Sequence, residues 1–261
     1  MKIAVCVKQV PASSVPMDET QGVLMRSMAG GTINPWDLHA IEAALQVAEQ
    51  TGGTVTAISM GPASAEQTVR VALAMGANKG VLLCDNAFAG ADVYATAFTL
   101  SQGLSILGNF DLIVCGQQTT DGDTSQLPFS LATQMGIPAI GWVKKIETIT
   151  ESAITAKQEL SSGTQRVTCP YPCLLAVGQG DPQPRIPTLK NKLRAKNASV
   201  EIIGLQGMPQ KEETLYGLCV SPTRVVKVYE NNIQGKKEPL KLSSQQAAAC
   251  LLKEWEDAQN A

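Results

Sequence analysis

The strongest constraint on the fold is an alternation between continuous apolar runs and helical periodicity, from the N-terminus to about Ile140. The runs do not alternate between apolar and polar residues, which is typical of parallel strands that helices cover on both faces. Consecutive parallel strands need a crossover, and such crossovers are right-handed. We therefore predict an α/β fold with a doubly wound, mostly parallel sheet, with strands at residues 3–7, 54–59, 80–84 and 111–115.

Capping residues mark the helices between these strands. Asn34 suits an N-cap, Pro35 the first helical turn, and Asp37 the returning position of a capping box. Gly52 and Gly53 end this helix. Further helices are predicted at residues 65–75, 92–107 and 124–135.

After about Val143 the pattern changes to short strand candidates separated by turn residues. Residues 143–148, 153–158, 165–169 and 173–177 predict an antiparallel addition to the sheet edge. Periodicity is then weak from about Asn197 until an amphipathic helix at residues 243–258. We divide the chain into an α/β domain of residues 1–196 and a C-terminal arm of residues 197–261. The last helix of the arm either caps its own core or contacts a partner.

Composition excludes several functions. A formal net charge of −2 and 4% aromatic residues provide neither a basic field nor a stacking platform for nucleic acid. No run approaches the roughly 20 apolar residues of a membrane helix, so we expect a cytoplasmic chain without membrane insertion. His39 is the only histidine, which removes most catalytic triads and most metal sites. Cys169 and Cys173 alone would not complete a tetrahedral metal site. Because a single histidine leaves little acid–base chemistry, we expect a binding protein with no catalytic side chain.

The carboxyl ends of the strands are where a doubly wound sheet binds ligands. Residues 116–126 follow the fourth strand there and combine glycines, hydroxyl groups and a predicted helix start at Thr124 and Ser125. Backbone amides at a helix start can hold phosphate or pyrophosphate. Asp121 and Asp123 would repel phosphate, so they are assigned to capping, turns or hydroxyl recognition. A polar turn without a ligand explains the composition equally well.

The connection after the third strand is long and runs from Asp85 to Asp92. Its small residues Ala89, Gly90 and Ala91 would allow a flat ligand to approach the backbone closely. A plain surface loop with Asp92 as the N-cap of the next helix is the alternative.

Five segments in order resemble the electron-transfer flavoprotein beta family. They are residues 5–11, 34–37, 72–77, 111–126 and 184–189, the last followed by Ala195-Lys196. The resemblance implies an adenine nucleotide alpha hydrolase-like fold and an alpha-subunit partner. It also implies a nucleotide held by Cys6, Asn34, Pro35, Trp36, Asp37, Met60, Gly116, Gln117, Gln118, Thr119, Thr120, Asp121, Gly122, Asp123, Thr124, Ser125, Gln126 and Leu127.

Two branches of that family differ in the nucleotide. Ordinary members bury AMP in the beta subunit, whereas electron-bifurcating members hold a second FAD there, which NADH reduces. The segment with Phe88, Ala89, Gly90, Ala91, Asp92 and Thr96 resembles the flavin loop of the bifurcating branch, so FAD is predicted and AMP is the alternative. Electrons would then pass between NADH, the alpha-subunit FAD and a flavin dehydrogenase, with ferredoxin or flavodoxin as the candidate low-potential acceptor. A non-redox adenine-nucleotide-binding protein is the rival class.

The proline-rich loop near Arg185 corresponds to the loop that docks acyl-CoA dehydrogenases in relatives. The resemblance and the exposed character of the loop predict partner contacts by Arg185, Ile186 and Leu189, although Leu189 could instead pack beneath its own loop. Pro182-Gln183-Pro184-Arg185 stands where the family often has N-E-P-R, which leaves the identity of the dehydrogenase open. The basic residues Lys190, Lys192, Arg194 and Lys196 form either a solvated face or an interface with an acidic partner.

Overall fold

A computed structural model describes residues 1–12, 17–18, 23–24, 31–180, 183–224 and 241–259. It divides the chain into two compact units, Met1–Lys227 and Val228–Ala261. The division therefore lies after Lys227 and not after Lys196, where the sequence placed it. The reason is that residues 197–224 include a strand of the main sheet and part of the core of the first unit.

A nine-stranded sheet forms the centre of the first unit. In chain order, the strands of this unit are β1 (Lys2–Cys6), β2 (Gln9–Pro11), β3 (Met17–Asp18), β4 (Val23–Leu24), β5 (Gly31–Ile33), β6 (Thr54–Met60), β7 (Lys79–Leu83), β8 (Leu112–Gly116), β9 (Ala139–Ile149), β10 (Ala153–Leu160), β11 (Gly163–Pro170), β12 (Cys173–Val177) and β13 (Val200–Ile203). The spatial order of the main sheet is β11-β10-β9-β12-β8-β1-β6-β7-β13. Strands from β9 to β13 in that order are parallel, and β9, β10 and β11 form an antiparallel edge. The predicted doubly wound sheet with an antiparallel edge is confirmed.

Helices cover both faces of the sheet, which explains the continuous apolar runs. The helices of the first unit are α1 (Pro35–Thr51), α2 (Glu66–Met75), α3 (Val93–Ile106), α4 (Leu127–Met135), α5 (Leu189–Asn197) and α6 (Gly217–Val220), and the second unit has α7 (Ser244–Gln259). Ile3 and Val5 of β1 pack in one core with α1 and α2. Ala4 and Cys6 pack in the other core, with α3 and α4.

The strand order reverses between β1 and β8. From β1 the chain moves outward through α1, β6, α2 and β7, and α3 then brings it back to β8 on the other side of β1. Cys6 and Cys115 are paired in register at the carboxyl ends of the two strands. A reversal of this kind opens a crevice at the strand ends, where doubly wound proteins bind ligands.

One predicted strand occupies a different place in the sheet. Residues 173–177 were expected in the antiparallel edge, but β12 lies between β8 and β9 and is parallel to both. All five residues of β12 are buried, as both faces of the sheet are covered there. The antiparallel edge is the β9–β10–β11 meander, and β13 at the opposite edge was not predicted.

Residues beyond β13 complete the core on the α3 side. Tyr216 is fully buried. Its ring centroid lies 5.3 Å from the ring centroid of Phe88 and 5.5 Å from that of Phe98. Gly217 has φ of +55°, and a Cβ there would lie 2.2 Å from the carbonyl oxygen of Ala87. This closing segment, residues 205–223, therefore requires glycine at the point where it crosses the loop before α3.

The second unit contributes one described helix, α7, close to the predicted position. Leu251, Leu252 and Trp255 are exposed on it. None of the helices in the described residues combines the length and the apolarity needed to cross a membrane.

Candidate functional site

A cleft of about 430 Å³ lies at the carboxyl ends of β1 and β8, where the strand order reverses. Its volume falls within the roughly 300–1,000 Å³ of small-molecule sites. The predicted residues that line it are Cys6, Asp37, Met60, Ala91, Asp92, Thr96, Gly116, Gln117, Gln118, Thr119, Asp121, Gly122, Thr124, Ser125 and Leu127. The other predicted residues, which are not in its lining, are Asn34, Pro35, Trp36, Phe88, Ala89, Gly90, Thr120, Asp123 and Gln126.

Asp37 joins the three elements that meet at the cleft. Its carboxylate accepts hydrogen bonds from the backbone N–H of Lys8 at 2.7 Å and from Nδ2 of Asn34 at 2.9 Å. The Gly116 amide also donates to it. Burial raises the pKa of Asp37 to about 7, because the hydrogen bonds and the Lys8 charge only partly compensate for the loss of water. Asp37 thus holds β1, the start of α1 and the end of β8 together.

The predicted capping box at the start of α1 is absent. Asn34 is the N-cap, but its side chain makes no capping hydrogen bond. The backbone N–H of Asn34 donates instead to the carbonyl oxygen of Lys8 at 2.9 Å, so the Asp37 carboxylate does not accept from it. The physical reason is that the Asp37 carboxylate is already used by donors from β1 and β8.

Gly116 is required by the close approach of α1 to the end of β8. A Cβ at this position would lie 2.3 Å from Oδ1 of Asp37 and 3.0 Å from the carbonyl carbon of Trp36. Both atoms belong to a tightly held helix start, so no side chain fits. The glycine predicted at the strand exit therefore serves the packing of the cleft floor.

Gln117 presents an unpaired donor in the buried wall of the cleft. Its Oε1 accepts a hydrogen bond of 2.6 Å from the backbone N–H of Trp142, whose φ of 49° is unusual for an aromatic residue. Its Nε2 is fully buried and has no hydrogen-bond partner among the described residues. Buried polar groups are nearly always paired, so this unpaired amide is an exception in the wall of the cleft.

The loop between β8 and α4 is not the predicted helix start. Helix α4 begins at Leu127, and Asp123 and Ser125 have left-handed φ values of 47° and 55° that a helix excludes. Pro128 in the first turn has no N–H to donate. Donors toward a ligand would therefore come mainly from the loop, which the Ser125 hydroxyl braces by donating to Oε1 of Gln118 at 3.0 Å.

Lys8 is the only cationic side chain lining the cleft in the described part of the chain. Its Nζ lies 2.8 Å from both carboxylate oxygens of Asp121. Burial alone would raise the pKa of Asp121, but the hydrogen bond and charge of Lys8 outweigh it and hold that pKa below its ordinary value. The positive charge of Lys8 therefore offsets the repulsion expected between the Asp121 carboxylate and a phosphate. The position of Lys8 directly after an apolar strand was the sequence signal for it.

The α3 wall of the cleft is closed by a residue far along the chain. Asp92 is the N-cap of α3, as the alternative interpretation held, and its Oδ1 accepts the Ala95 amide at 3.1 Å. Its Oδ2 accepts the backbone N–H and the hydroxyl of Thr223 at 2.9 and 2.8 Å. No local pattern marks Thr223. The other lining residues that the sequence did not predict are Val7, Val93, Leu100, Cys115 and Pro128.

Phe88 and Gly90 lie beneath the closing segment. Phe88 is buried in the core against Tyr216. Gly90 has φ of +71°, and a Cβ there would lie 3.1 Å from Cβ of Leu218. The glycine is therefore explained by backbone conformation and packing without reference to a ligand.

The three predicted docking residues divide into two groups. Ile186 is 87% exposed and Leu189 is 74% exposed, so Leu189 does not pack beneath its own loop. Arg185 instead pairs with Glu42 and Glu49 of α1, at 2.7 and 2.6 Å. Pro182 of the predicted loop lies outside the described residues.

The cysteines form no metal-binding cluster with other described residues. No group of three or more His, Cys, Asp or Glu side chains within the described ranges is arranged to hold a metal ion. Burial raises the pKa of Cys173, and its thiol interacts with that of Cys169. A buried, protonated pair of this kind is a poor ligand.

One family profile and several relatives match most of the chain. The family profile of the electron transfer flavoprotein domain matches residues 21–206. An electron transfer flavoprotein subunit beta of Thermoanaerobacterium thermosaccharolyticum is 40% identical over 228 residues, which span 87% of this chain and 86% of the relative. Protein FixA of Sinorhizobium fredii is 36% identical over 88% of this chain and 83% of the relative. Subunit CarD of a caffeyl-CoA reductase-Etf complex, from Acetobacterium woodii, is 33% identical over 91% of each chain. The chain therefore belongs to the electron transfer flavoprotein family, as a member related to its beta subunits.

Proposed function

We propose that this chain binds FAD in the cleft and passes electrons between NADH, the FAD of an alpha subunit and a flavin dehydrogenase by electron bifurcation. The observation that carries the nucleotide site is the cleft at the strand-order reversal, where Lys8 and the loop after β8 meet. When bound, the flavin would supply the redox chemistry, and the chain would supply position and electrostatics.

The residues around the cleft fit the two ends of such a nucleotide. Lys8 and the backbone N–H groups of residues 118–125 suit a pyrophosphate, because they combine a cation with neutral donors. On the other side, Ala91, Thr96 and Leu100 extend the cleft along α3. This extension would give the second half of a dinucleotide a surface to lie on.

AMP is the second candidate, and one observation favours it. Phe88, Ala89 and Gly90, which resemble the flavin loop of the bifurcating branch, are not in the lining of the cleft. The resemblance at these positions therefore gives no direct support for a flavin ring. The two candidates predict different cofactor counts.

Cofactor counting in the purified alpha–beta heterodimer tests the proposal. Acid extraction followed by chromatography should yield two FAD molecules per heterodimer. One FAD and one AMP would assign the chain to the ordinary branch. In stopped-flow experiments NADH should bleach both flavins, and a complex with two flavins that NADH does not reduce would contradict bifurcation.

Gly122→Val tests whether the ligand occupies this cleft. A Cβ at Gly122 meets only Oγ1 of Thr119, at 3.5 Å, so the fold itself tolerates a side chain there. We expect loss of the beta-site nucleotide with retention of the alpha-subunit FAD, because the added methyl groups crowd a cleft-lining position. A folded variant that keeps both cofactors would place the pyrophosphate elsewhere.

Two surfaces are proposed for protein partners. The exposed Leu251, Leu252 and Trp255 of α7 would pack on the alpha subunit. The docking surface, defined as Ile186, Leu189, Lys190, Lys192 and Leu193, would bind an acyl-CoA-type dehydrogenase. Leu189→Ala should weaken dehydrogenase binding about 5- to 30-fold without changing thermal stability, because an exposed anchor contributes to the interface and not to the core. A large fall in melting temperature would instead identify Leu189 as a packing residue.

A further inference from the structure

Arg185 fastens the proline-rich loop to α1. Its Nε donates to Oε2 of Glu42 at 2.7 Å and its Nη2 to Oε1 of the same carboxylate at 2.9 Å. Its Nη1 donates at 2.6 Å to Oε1 of Glu49, which lies about two turns further along α1. The backbone N–H of Arg185 also donates to Glu42, at 3.1 Å. Both the side chain and the main chain of this residue are therefore bound to the same helix.

The burial of Glu42 makes this contact a fixed part of the fold. The Glu42 side chain is 5% exposed, and its Oε1 also accepts Nε2 of Gln46 at 3.1 Å. Burial alone would raise the pKa of Glu42, but the hydrogen bonds and charge of Arg185 hold that pKa below its ordinary value. Removing Arg185 would leave a buried carboxylate without its cation, which is strongly unfavourable. Arg185 is thus committed to its own chain.

The other end of the same segment is fastened by two more arginines. Nη1 of Arg70 donates to the carbonyl oxygens of Ala195 and Ala198, at 2.6 and 3.1 Å. In return, Nη2 of Arg194 donates to the carbonyl oxygen of Leu73 at 3.0 Å. Arg194 therefore contributes to the anchoring of α5 on α2, whereas Lys190 and Lys192 remain exposed.

We propose that Arg185 is a positioning residue that holds the docking surface in its binding conformation before a partner arrives. This inference rests on the proposed docking function and assigns a part of it. Ile186 follows Arg185 directly and is the most exposed large apolar residue described. Pre-forming such a loop improves affinity, because less conformational freedom is lost on binding. The partner that fits is a protein with an apolar pocket edged by carboxylates, since Lys190 and Lys192 flank the exposed leucines.

The test compares four variants in the alpha–beta heterodimer: Leu189→Ala, Arg185→Met, Arg185→Lys and Glu49→Gln. Each is titrated against an acyl-CoA dehydrogenase from the source organism, with hydrogen exchange of residues 183–193 followed in parallel. Arg185→Met should weaken binding about tenfold and speed exchange, while the saturated electron-transfer rate stays unchanged. Arg185→Lys should restore part of the affinity, since an ammonium can still pair with Glu42. Arg166→Met is the matched control, because it breaks an exposed ion pair with Glu147 on the antiparallel edge.

The outcomes separate the two proposals. Unchanged affinity in Leu189→Ala, or no binding by the wild type, would remove the docking function itself. Weakened binding in Leu189→Ala with wild-type binding in Arg185→Met would overturn the positioning role alone. Weakened binding in Arg185→Met without faster exchange would also overturn it, since it would indicate direct contact with the partner. If Arg185→Met does not fold, Glu49→Gln decides the question: Glu49 is 59% exposed, and its loss should still speed exchange of the loop.

Discussion

Substituting Gly116 by alanine should disrupt the floor of the cleft although it adds a single methyl group. The new Cβ would lie 2.3 Å from Oδ1 of Asp37 and 3.0 Å from both the carbonyl carbon and Cβ of Trp36. Overpacking of this kind costs about 1–3 kcal/mol. Displacing the carboxylate also weakens a hydrogen bond to a charged group, worth about 1.5–3 kcal/mol. Against these, the loss of glycine entropy in the unfolded chain stabilises by about 0.4–1 kcal/mol.

The net expectation for Gly116→Ala is a destabilisation of about 2–5 kcal/mol, or a fall in Tm of roughly 4–20 °C. Gly122→Ala, in the loop that follows β8, is the matched control, because its Cβ meets only Oγ1 of Thr119, at an ordinary contact distance of 3.5 Å. Its stability should remain within about 0.5 kcal/mol of the wild type. Both proteins should be compared by thermal and urea unfolding after removal of bound nucleotide, which would otherwise add stability. Equal stabilities in the two variants would refute the close approach of the start of α1 to Gly116.

Two further substitutions test the electrostatics of the cleft. The pKa of Asp37 rises from 3.8 to about 7 on folding, so the folded state binds more protons between these values and stability falls as pH rises through this window. The wild type should therefore lose about 3 kcal/mol relative to Asp37→Asn from about pH 4 to pH 7, as measured by urea unfolding, and parallel profiles would contradict this. Lys8→Met should weaken AMP binding about tenfold in equilibrium dialysis, because it removes a charge-assisted contact to phosphate. Unchanged affinity would indicate that backbone donors alone hold the phosphate.

The central strands could be predicted because burial on both faces leaves a continuous apolar run. The same rule applies to β12, which was assigned to the edge only because it follows two antiparallel strands in the chain. Its continuous run, Cys173–Val177, is the signature of an interior strand. β13 has four residues, and Ile202 in it is 57% exposed, so no comparable run exists.

The start of α4 shows how local signals can mislead. Thr124 and Ser125 have good N-cap side chains, but the left-handed φ of Ser125 excludes a helix at that point. Pro128, which favours the first helical turn, was the better marker. Propensity alone could not distinguish the two, because the loop conformation is set by contacts with Gln118.

Site residues fixed by distant contacts were beyond sequence reasoning. The role of Arg185 depends on Glu42 and Glu49, and the burial of Phe88 depends on Tyr216, which follows it by more than a hundred residues. Thr223 is held at the cleft by its hydrogen bonds to Asp92. In contrast, Gly116 and Asp121 could be predicted, because the carboxyl end of a strand places them at the site regardless of later folding.

The position of β1 in the middle of the sheet has a consequence for biosynthesis. Its two neighbours, β6 and β8, end at Met60 and Gly116, and the next strand outward, β12, ends at Val177. In a nascent chain, strands with two apolar faces therefore stay uncovered until the strands and helices that pack on them have been synthesised. This delay slows folding and favours aggregation. The β9–β10–β11 meander is the local exception, since its strands are adjacent in sequence. The cleft itself is complete only when Thr223 has left the ribosome, so its ligand would bind at a late stage of the folding of the first unit.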